Sequence, residues 1–208
     1  TKDKIRIVVG GSHGKTTITS MIMHVMHFHR IPFDYMVGAQ VEGFDTMVNL
    51  EKDSKYAVFE GDEYLSSTLD PRPKFHLYHP DIAIISGIAW DHINVFPTFE
   101  NYVEQFSKFV SMISSKGSFI YFEGDENLQN IAVRTRRDIK IFPYTTHPYE
   151  LTDQKTFLKT SEGLIPLQVF GDHNLQNINA ARLACNKAGI SDELFYQAIV
   201  HFKGAAKR

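Results

Sequence analysis

Cysteine is nearly absent from this 208-residue sequence, Cys185 being the only one, and neither sign of charge is in excess: 22 Lys and Arg stand against 24 Asp and Glu, a formal net charge of −2. A lone cysteine closes no intrachain disulfide, so the fold must be held by its core. Balanced charge provides no field for a nucleic-acid backbone or an anionic membrane surface, and neither partner is expected. Long apolar runs are missing too; none approaches the roughly 20 residues that a spanning helix requires. The chain opens with Thr1-Lys2-Asp3-Lys4 and enters a β-branched run without an apolar leader, so a reducing cytoplasm is the expected location. Hydrophobic residues make up 43% of the chain, enough at this length for one well-buried core, and a single domain over residues 1–208 is expected.

What is present alternates between two periods. Ile5 to Val9 is a short β-branched run, and Ile18, Met21, Ile22, Val25 and Met26 then recur at the spacing of one helical face. Later apolar runs at Tyr56 to Phe59, Ile82 to Ile85 and Phe119 to Phe122 are bounded by Gly, Asp or Pro and read as buried strands. Between the last two, Thr98 is a good N-cap for a helix to Ile113 that lines up Tyr102, Phe106, Phe109 and Val110. Strand, helix, strand is the unit of a parallel sheet. The pattern predicts an α/β fold: a phosphate-loop-containing, mostly parallel sheet flanked by helices. A small antiparallel patch is expected within Lys140 to Phe170, followed by helices near Leu175 to Ala188 and Asp192 to Phe202.

The loop between the first strand and first helix reads Gly11-Ser12-His13-Gly14-Lys15-Thr16-Thr17. A glycine-rich turn into a helix leaves backbone N–H groups free at the helix N-terminus, where they and the helix dipole favour an anion. Lys15 adds a point charge and the Thr16 hydroxyl is a ligand for Mg²⁺. The general spacing G-x-x-x-x-G-K-[ST] is broken, since Val9 stands where its first glycine would be. Set against an ordinary glycine turn with an exposed lysine, the phosphate reading is favoured by the strand before, the helix after and the Lys-Thr pair.

Three further clusters sit where such a sheet would deliver them. Glu60-Gly61-Asp62-Glu63 ends an apolar strand, and a carboxylate there can reach a hard cation; a solvated acidic loop is the competing reading. Asp91-His92 follows the Ile82 to Ile85 run, where an imidazole can ligate a metal, though a plain loop histidine is also common. His173, Asn174 and Asn177 open a helix, the two amides three residues apart on one face and suited to a base edge; capping by Asn174 is the bland alternative.

Taken in order, these motifs resemble the central ATPase domain of the Mur ligases, ATP-dependent amide-bond ligases of peptidoglycan synthesis. The likeness rests on the 11–17 loop, Glu60-Gly61-Asp62-Glu63, Asp91-His92, His173-Asn174-x-x-Asn177 and Phe202-x-Gly204-x-x-Lys207-Arg208. It implies ATP and Mg²⁺ as cofactors, with Gly11, Ser12, His13, Gly14, Lys15, Thr16 and Thr17 around the phosphates. His173, Asn174, Asn177 and Arg208 would complete the nucleotide site. Thr16 and Glu60 would hold one metal and His92 a second, with Lys15, Glu60 and His92 as the catalytic set. Phe106 stands where other branches carry a carbamylated lysine, which resembles the branch acting on UDP-N-acetylmuramate with an amino acid or a peptide as amine. Family members also have an N-terminal UDP-sugar domain and a C-terminal domain, neither of which these residues match. The isolated chain is therefore expected to fold without ligating. A kinase or GTPase-like switch, or a non-catalytic nucleotide-binding module, would use the same loop but has no need of the other clusters.

Overall fold

The computed structural model describes residues 3–91 and 93–205. Its elements run β1 (Ile5–Gly10), α1 (Lys15–Phe28), β2 (Phe33–Met36), β3 (Val48–Asn49), β4 (Tyr56–Glu60), β5 (Ile82–Ile85), α2 (Phe99–Ser111), β6 (Ser118–Phe122), α3 (Glu126–Arg134), β7 (Lys140–Tyr144), β8 (Tyr149–Thr152), β9 (Lys155–Thr160), β10 (Gly163–Pro166), α4 (Asp172–Lys187) and α5 (Asp192–Ile199). Seven strands form one sheet in the order β3-β2-β4-β1-β5-β6-β7, and β8 to β10 form a separate antiparallel sheet. Every neighbouring pair in the large sheet is parallel except β2 with the two-residue edge strand β3. A short antiparallel edge strand exposes little unpaired backbone, one way of blunting a sheet edge.

Period-two alternation in doubly buried strands divides the core in two. Ile7, Val9, Val58, Ile82, Ile84 and Ile120 face α1, α4 and α5. Val8, Ala57, Phe59, Ala83, Ile85, Phe119 and Tyr121 face α2 and α3. Helix α1 is buried well beyond one stripe, Thr19, Ser20 and Met23 included, because it is covered by the sheet on one side and by α4 and α5 on the other. Two histidines on α1 and its C-cap fasten α5: His24 Nε2 lies 2.9 Å from the Ala198 carbonyl and His29 Nε2 lies 2.7 Å from that of Leu194. Helix α2 begins as its sequence dictates, the Thr98 hydroxyl accepting from Asn101 N–H at 3.1 Å, and Tyr102, Phe106 and Phe109 are fully buried.

The structure narrows the expected antiparallel patch. Lys140–Tyr144 pairs in parallel with β6, so only β8 to β10 are antiparallel. Its alternation resembles that of a hairpin strand because β7 lies at the sheet edge with one side toward solvent. The helix expected from Leu175 starts at Asp172, with Gly171 as its N-cap, and the last helix ends at Ile199. The sequence pattern does not announce β2, β3, α3 or the single helical turn at Lys74–Leu77. The first two are short, and α3 has nine residues started by Asp125, whose carboxylate accepts from Asn127 and Leu128 N–H groups at 2.9 and 3.1 Å. Among the described residues no helix is long and apolar enough to cross a membrane.

Candidate functional site

The loop between β1 and α1 lies at the carboxyl edge of the sheet, between the ends of β4 and β5. Gly11 has φ +123 and packs so closely on the next strand's loop that a Cβ there would sit 2.4 Å from Ser86 Oγ. Gly14 has φ +76, and its Cβ would meet Asn177 Oδ1 at 2.5 Å. Gly11 therefore requires glycine on two counts, backbone angle and the Ser86 N–H 2.8 Å from the Cβ position, while at Gly14 the backbone angle is the stronger constraint, since only the Asn177 side chain is close. The neighbouring loop reinforces this shape: Ser12 N–H donates to the Gly87 carbonyl at 2.9 Å, and the Ser86 hydroxyl donates to the His13 carbonyl. Behind it, Asp125 Oδ2 accepts from Ile88 N–H at 2.6 Å, so one carboxylate caps α3 and secures residues 86–89.

Gly14 N-caps α1 in the left-handed conformation; no side chain caps this end, and its first turn carries no acidic residue. That leaves the amide groups and the positive end of the helix dipole for an external anion. The two residues that follow are held by carboxylates from the end of β4. Thr16 Oγ1 donates to Glu60 Oε1 at 2.8 Å, while Glu60 Oε2 accepts from Gly38 N–H at 3.0 Å. Lys15 Nζ donates to the Gly11 carbonyl at 2.7 Å and pairs with Glu63 Oε2 at 2.8 Å. Asp62 is turned to Lys74 at 2.7 Å. Burial pushes the Asp62 carboxyl upward, but the Lys74 ammonium and the Tyr64 N–H outweigh it and hold it below its ordinary value. The three acids thus have three distinct partners.

A cavity of about 150 Å³ beside the loop is lined by His13, Gly14, Ser86, Tyr144, His173 and Asn177, among others. It adjoins a wider space of about 460 Å³ reaching Asp125, Asn127 and Gln176. His173 and Asn177 thus stand beside the loop. Asn174 is differently engaged: its Nδ2 donates to the Phe170 carbonyl at 2.8 Å, the role of a helix-end residue. Thr17 lies in the first turn of α1, and Asp91 is on the exposed loop after β5. His92, Lys207 and Arg208 lie outside the described residues. Sequence reasoning missed Tyr102 as part of this neighbourhood, reading it as core. It is core, with no exposed surface, yet its hydroxyl reaches Ser12 Oγ at 3.1 Å and Glu63 Oε1 at 3.4 Å. Burial raises its pKa, so the phenol stays protonated.

Among the described residues no three His, Cys, Asp or Glu side chains gather to hold a metal unaided. The Thr16 hydroxyl and Glu60 carboxylate are nevertheless hard oxygen donors 2.8 Å apart, and they fit Mg²⁺, which commonly takes one or two protein oxygens and completes its shell with phosphates and water.

The fold and this edge define a phosphate-loop α/β domain, whose uncapped helix N-terminus is backed by a carboxylate and hydroxyl pair. Residues 9–185 match the Mur ligase middle domain, and the chain belongs to that family. A UDP-N-acetylmuramate--L-alanine ligase of Lactobacillus delbrueckii subsp. bulgaricus is 30% identical over 97% of this chain and 45% of its own length. A UDP-N-acetylmuramate--L-alanyl-gamma-D-glutamyl-meso-2,6-diaminoheptandioate ligase of Haemophilus influenzae is 24% identical over the whole chain and 47% of its own length. The chain thus spans just under half of these curated relatives. A crystal structure of a UDP-N-acetylmuramate:L-alanyl-gamma-D-glutamyl-meso-diaminopimelate ligase from Neisseria meningitides superposes with a TM-score of 0.85, at 23% identity, over all of this chain and 68% of that one. Its likeness establishes the fold.

Proposed function

We propose that this chain is the ATP-binding domain of a ligase that activates the carboxylate of UDP-N-acetylmuramate and joins it to L-alanine or to a short peptide. The observation that carries the reading is the Thr16 to Glu60 pair, 2.8 Å apart at the mouth of an uncapped helix N-terminus within a Mur ligase middle domain. In this reading the amides of residues 11–16 and the Lys15 ammonium bind the β- and γ-phosphates. His173 and Asn177 form one wall of the base pocket. Asn174 steadies the first turn of α4 that presents them. Thr16 and Glu60 hold Mg²⁺, and His92 assists at a second metal position. Bound there, Mg²⁺ would supply Lewis-acid neutralisation of phosphoryl oxygens.

The chemistry has two steps. A carboxylate oxygen of the sugar substrate attacks the γ-phosphorus, the bond to the β-bridging oxygen breaks, and an acyl phosphate and ADP result. The amine then adds to the acyl carbon, its nitrogen gives up a proton that ends on phosphate or solvent, and inorganic phosphate leaves with the bond electrons as the amide forms. Charge grows on phosphoryl oxygens in the first step, so preorganised donors such as Lys15 and the loop amides carry the catalysis. Sugar and amine are recognised by parts of the longer relatives that this chain does not span, and the chain by itself is expected not to ligate.

The test is ATP-dependent phosphate release by the full-length protein with UDP-N-acetylmuramate, comparing L-alanine with the muramyl tripeptide. Release with one amine is expected, falling about 100-fold or more in Glu60→Gln. Selective GTP turnover, or undiminished activity in that variant, would discard the ligase reading.

A further inference from the structure

The acidic segment after β4 contains a carboxylate that the phosphate and metal roles leave unused. Glu63 is only 1% exposed, and its carboxyl group faces Lys15, the cation of the loop. Both of its oxygens lie within reach of Lys15 Nζ, at 3.1 and 2.8 Å. The ammonium is also tied to the Gly11 carbonyl at 2.7 Å. With three N–H donors available to a lysine, two anchors fix its direction and leave one N–H to face an incoming phosphate.

Glu63 is itself fixed from α2. The Ser12 hydroxyl donates to the Ala89 carbonyl and accepts from Ala89 N–H, both at 2.8 Å. Its single proton is therefore committed, and the hydrogen on the 3.1 Å line to Tyr102 belongs to the phenol. Tyr102 shares that hydrogen between Ser12 Oγ and Glu63 Oε1, joining the loop, the acidic segment and α2 in one buried network.

We propose that Glu63 is a positioning residue for Lys15, and that Tyr102 sets Glu63, so that the phosphate-gripping ammonium is aimed by a buried carboxylate rather than by its own flexible stem. The inference rests on the ATP reading above and assigns a task within that same site. A lysine is a point charge on four rotatable bonds, and it stabilises a developing charge only if it is already in place when the charge appears. Glu63 also tempers the ammonium's pull on ground-state phosphates. Removing its charge therefore leaves binding intact or tighter while the aim is lost, a signature that a merely structural residue does not give.

The experiment compares Glu63→Gln, Glu63→Asp and Tyr102→Phe with the parent in the full-length protein, measuring kcat and the KM for ATP alongside thermal denaturation. Glu63→Gln is expected to lower kcat about tenfold or more with KM for ATP unchanged or reduced, and Glu63→Asp to recover part of that loss. Tyr102→Phe keeps the buried ring and is expected to lose about threefold in kcat at unchanged KM; it decides the matter even where Glu63→Gln does not accumulate. A raised KM with unchanged kcat in Glu63→Gln, or parental kcat in Tyr102→Phe, overturns the proposal. A parent that turns over ATP and loses activity in Glu60→Gln while Glu63→Gln is fully active sinks this inference alone. A parent without ATP-dependent phosphate release sinks the functional reading beneath it.

Discussion

Helix α1 has 14 residues and so spans about 21 Å, and its two ends open onto different cavities. At the N-terminal end, a space of about 150 Å³ beside Gly14 adjoins one of about 460 Å³, and the two are lined by amide, hydroxyl, imidazole and carboxylate groups. At the C-terminal end, His27, Arg30, Phe33, Tyr35, Phe44 and Asp45 help to line a cavity of about 620 Å³. The larger space has charges of both signs scattered on an aromatic cluster, in which Phe44 meets Tyr35 at 5.2 Å and His27 at 5.4 Å. It also lies at the helix end whose dipole repels anions. The N-terminal end has uncapped N–H groups, a lysine paired with a carboxylate, and two glycines at positive φ. The two ends offer similar room, and convergent donors set the N-terminal one apart.

The sharpest way to break the comparison is at Gly14. An added methyl would sit at φ +76, which costs an ordinary residue about 1–2 kcal/mol, and would crowd the Asn177 amide, which lines the same small cavity. Gly14→Ala is expected to raise the Kd for ATP at least ~30-fold, read by titration calorimetry, while the melting temperature falls by a few degrees, about what that strain alone implies. A Kd within about threefold of the parent would show that the loop and α4 do not jointly shape a nucleotide site.

How this end of the helix was legible in the sequence, and the other end was not, has a physical basis. The 11–17 loop is contiguous, so its glycines, Lys15 and Thr16 display their geometry in their spacing. Glu60 was readable because a short apolar run ends on it at the carboxyl edge. Tyr102 and Asp125 were not, since each reaches the site across the fold: Tyr102 contacts Glu63 across 39 positions and Asp125 contacts Ile88 across 37. Asn174 and Asn177 looked equivalent by helical spacing, and only packing separates them, one capping Phe170 and the other against Gly14. Likewise β2 escaped notice because it has four residues and its burial comes from β4 and from Phe44, which no local pattern announces.

The second expected effect concerns stability at the amino edge of the sheet. Asp34 on β2 is 1% exposed and holds Lys4 Nζ with both oxygens at 2.9 Å. It also accepts from Glu51 N–H at 2.8 Å and from the Ser54 hydroxyl at 2.9 Å. Burial pushes its carboxyl upward, but Lys4, Glu51 and Ser54 outweigh this and hold it below the ordinary 3.8. A depressed folded value contributes stability that is complete above the unfolded value and is lost as pH falls through the folded one. Asp34→Asn is expected to cost about 3 kcal/mol in urea unfolding at neutral pH, with the gap to the parent narrowing below about pH 4. A gap independent of pH down to acid unfolding would mean that the charge on Asp34 is not what stabilises this edge.

The smallest effect sharpens the comparison most, because it asks whether the larger cavity has any part in nucleotide binding. Phe44 is half-buried and meets Phe33, Tyr35 and His27 edge-on, so its ring contributes packing and aromatic contact rather than a polar handle. Phe44→Ala is expected to lower stability by about 1–2 kcal/mol, less than a fully buried phenylalanine because half of the ring's surface is already wet. The Kd for ATP should stay within about twofold of the parent, because the loss falls at the far end of a rigid helix whose phosphate end is secured independently by Ser86, Glu60 and Glu63. A larger change in Kd, at unchanged stability, would mean that the two ends of α1 are coupled and that the aromatic cavity belongs to the nucleotide site's own equilibrium.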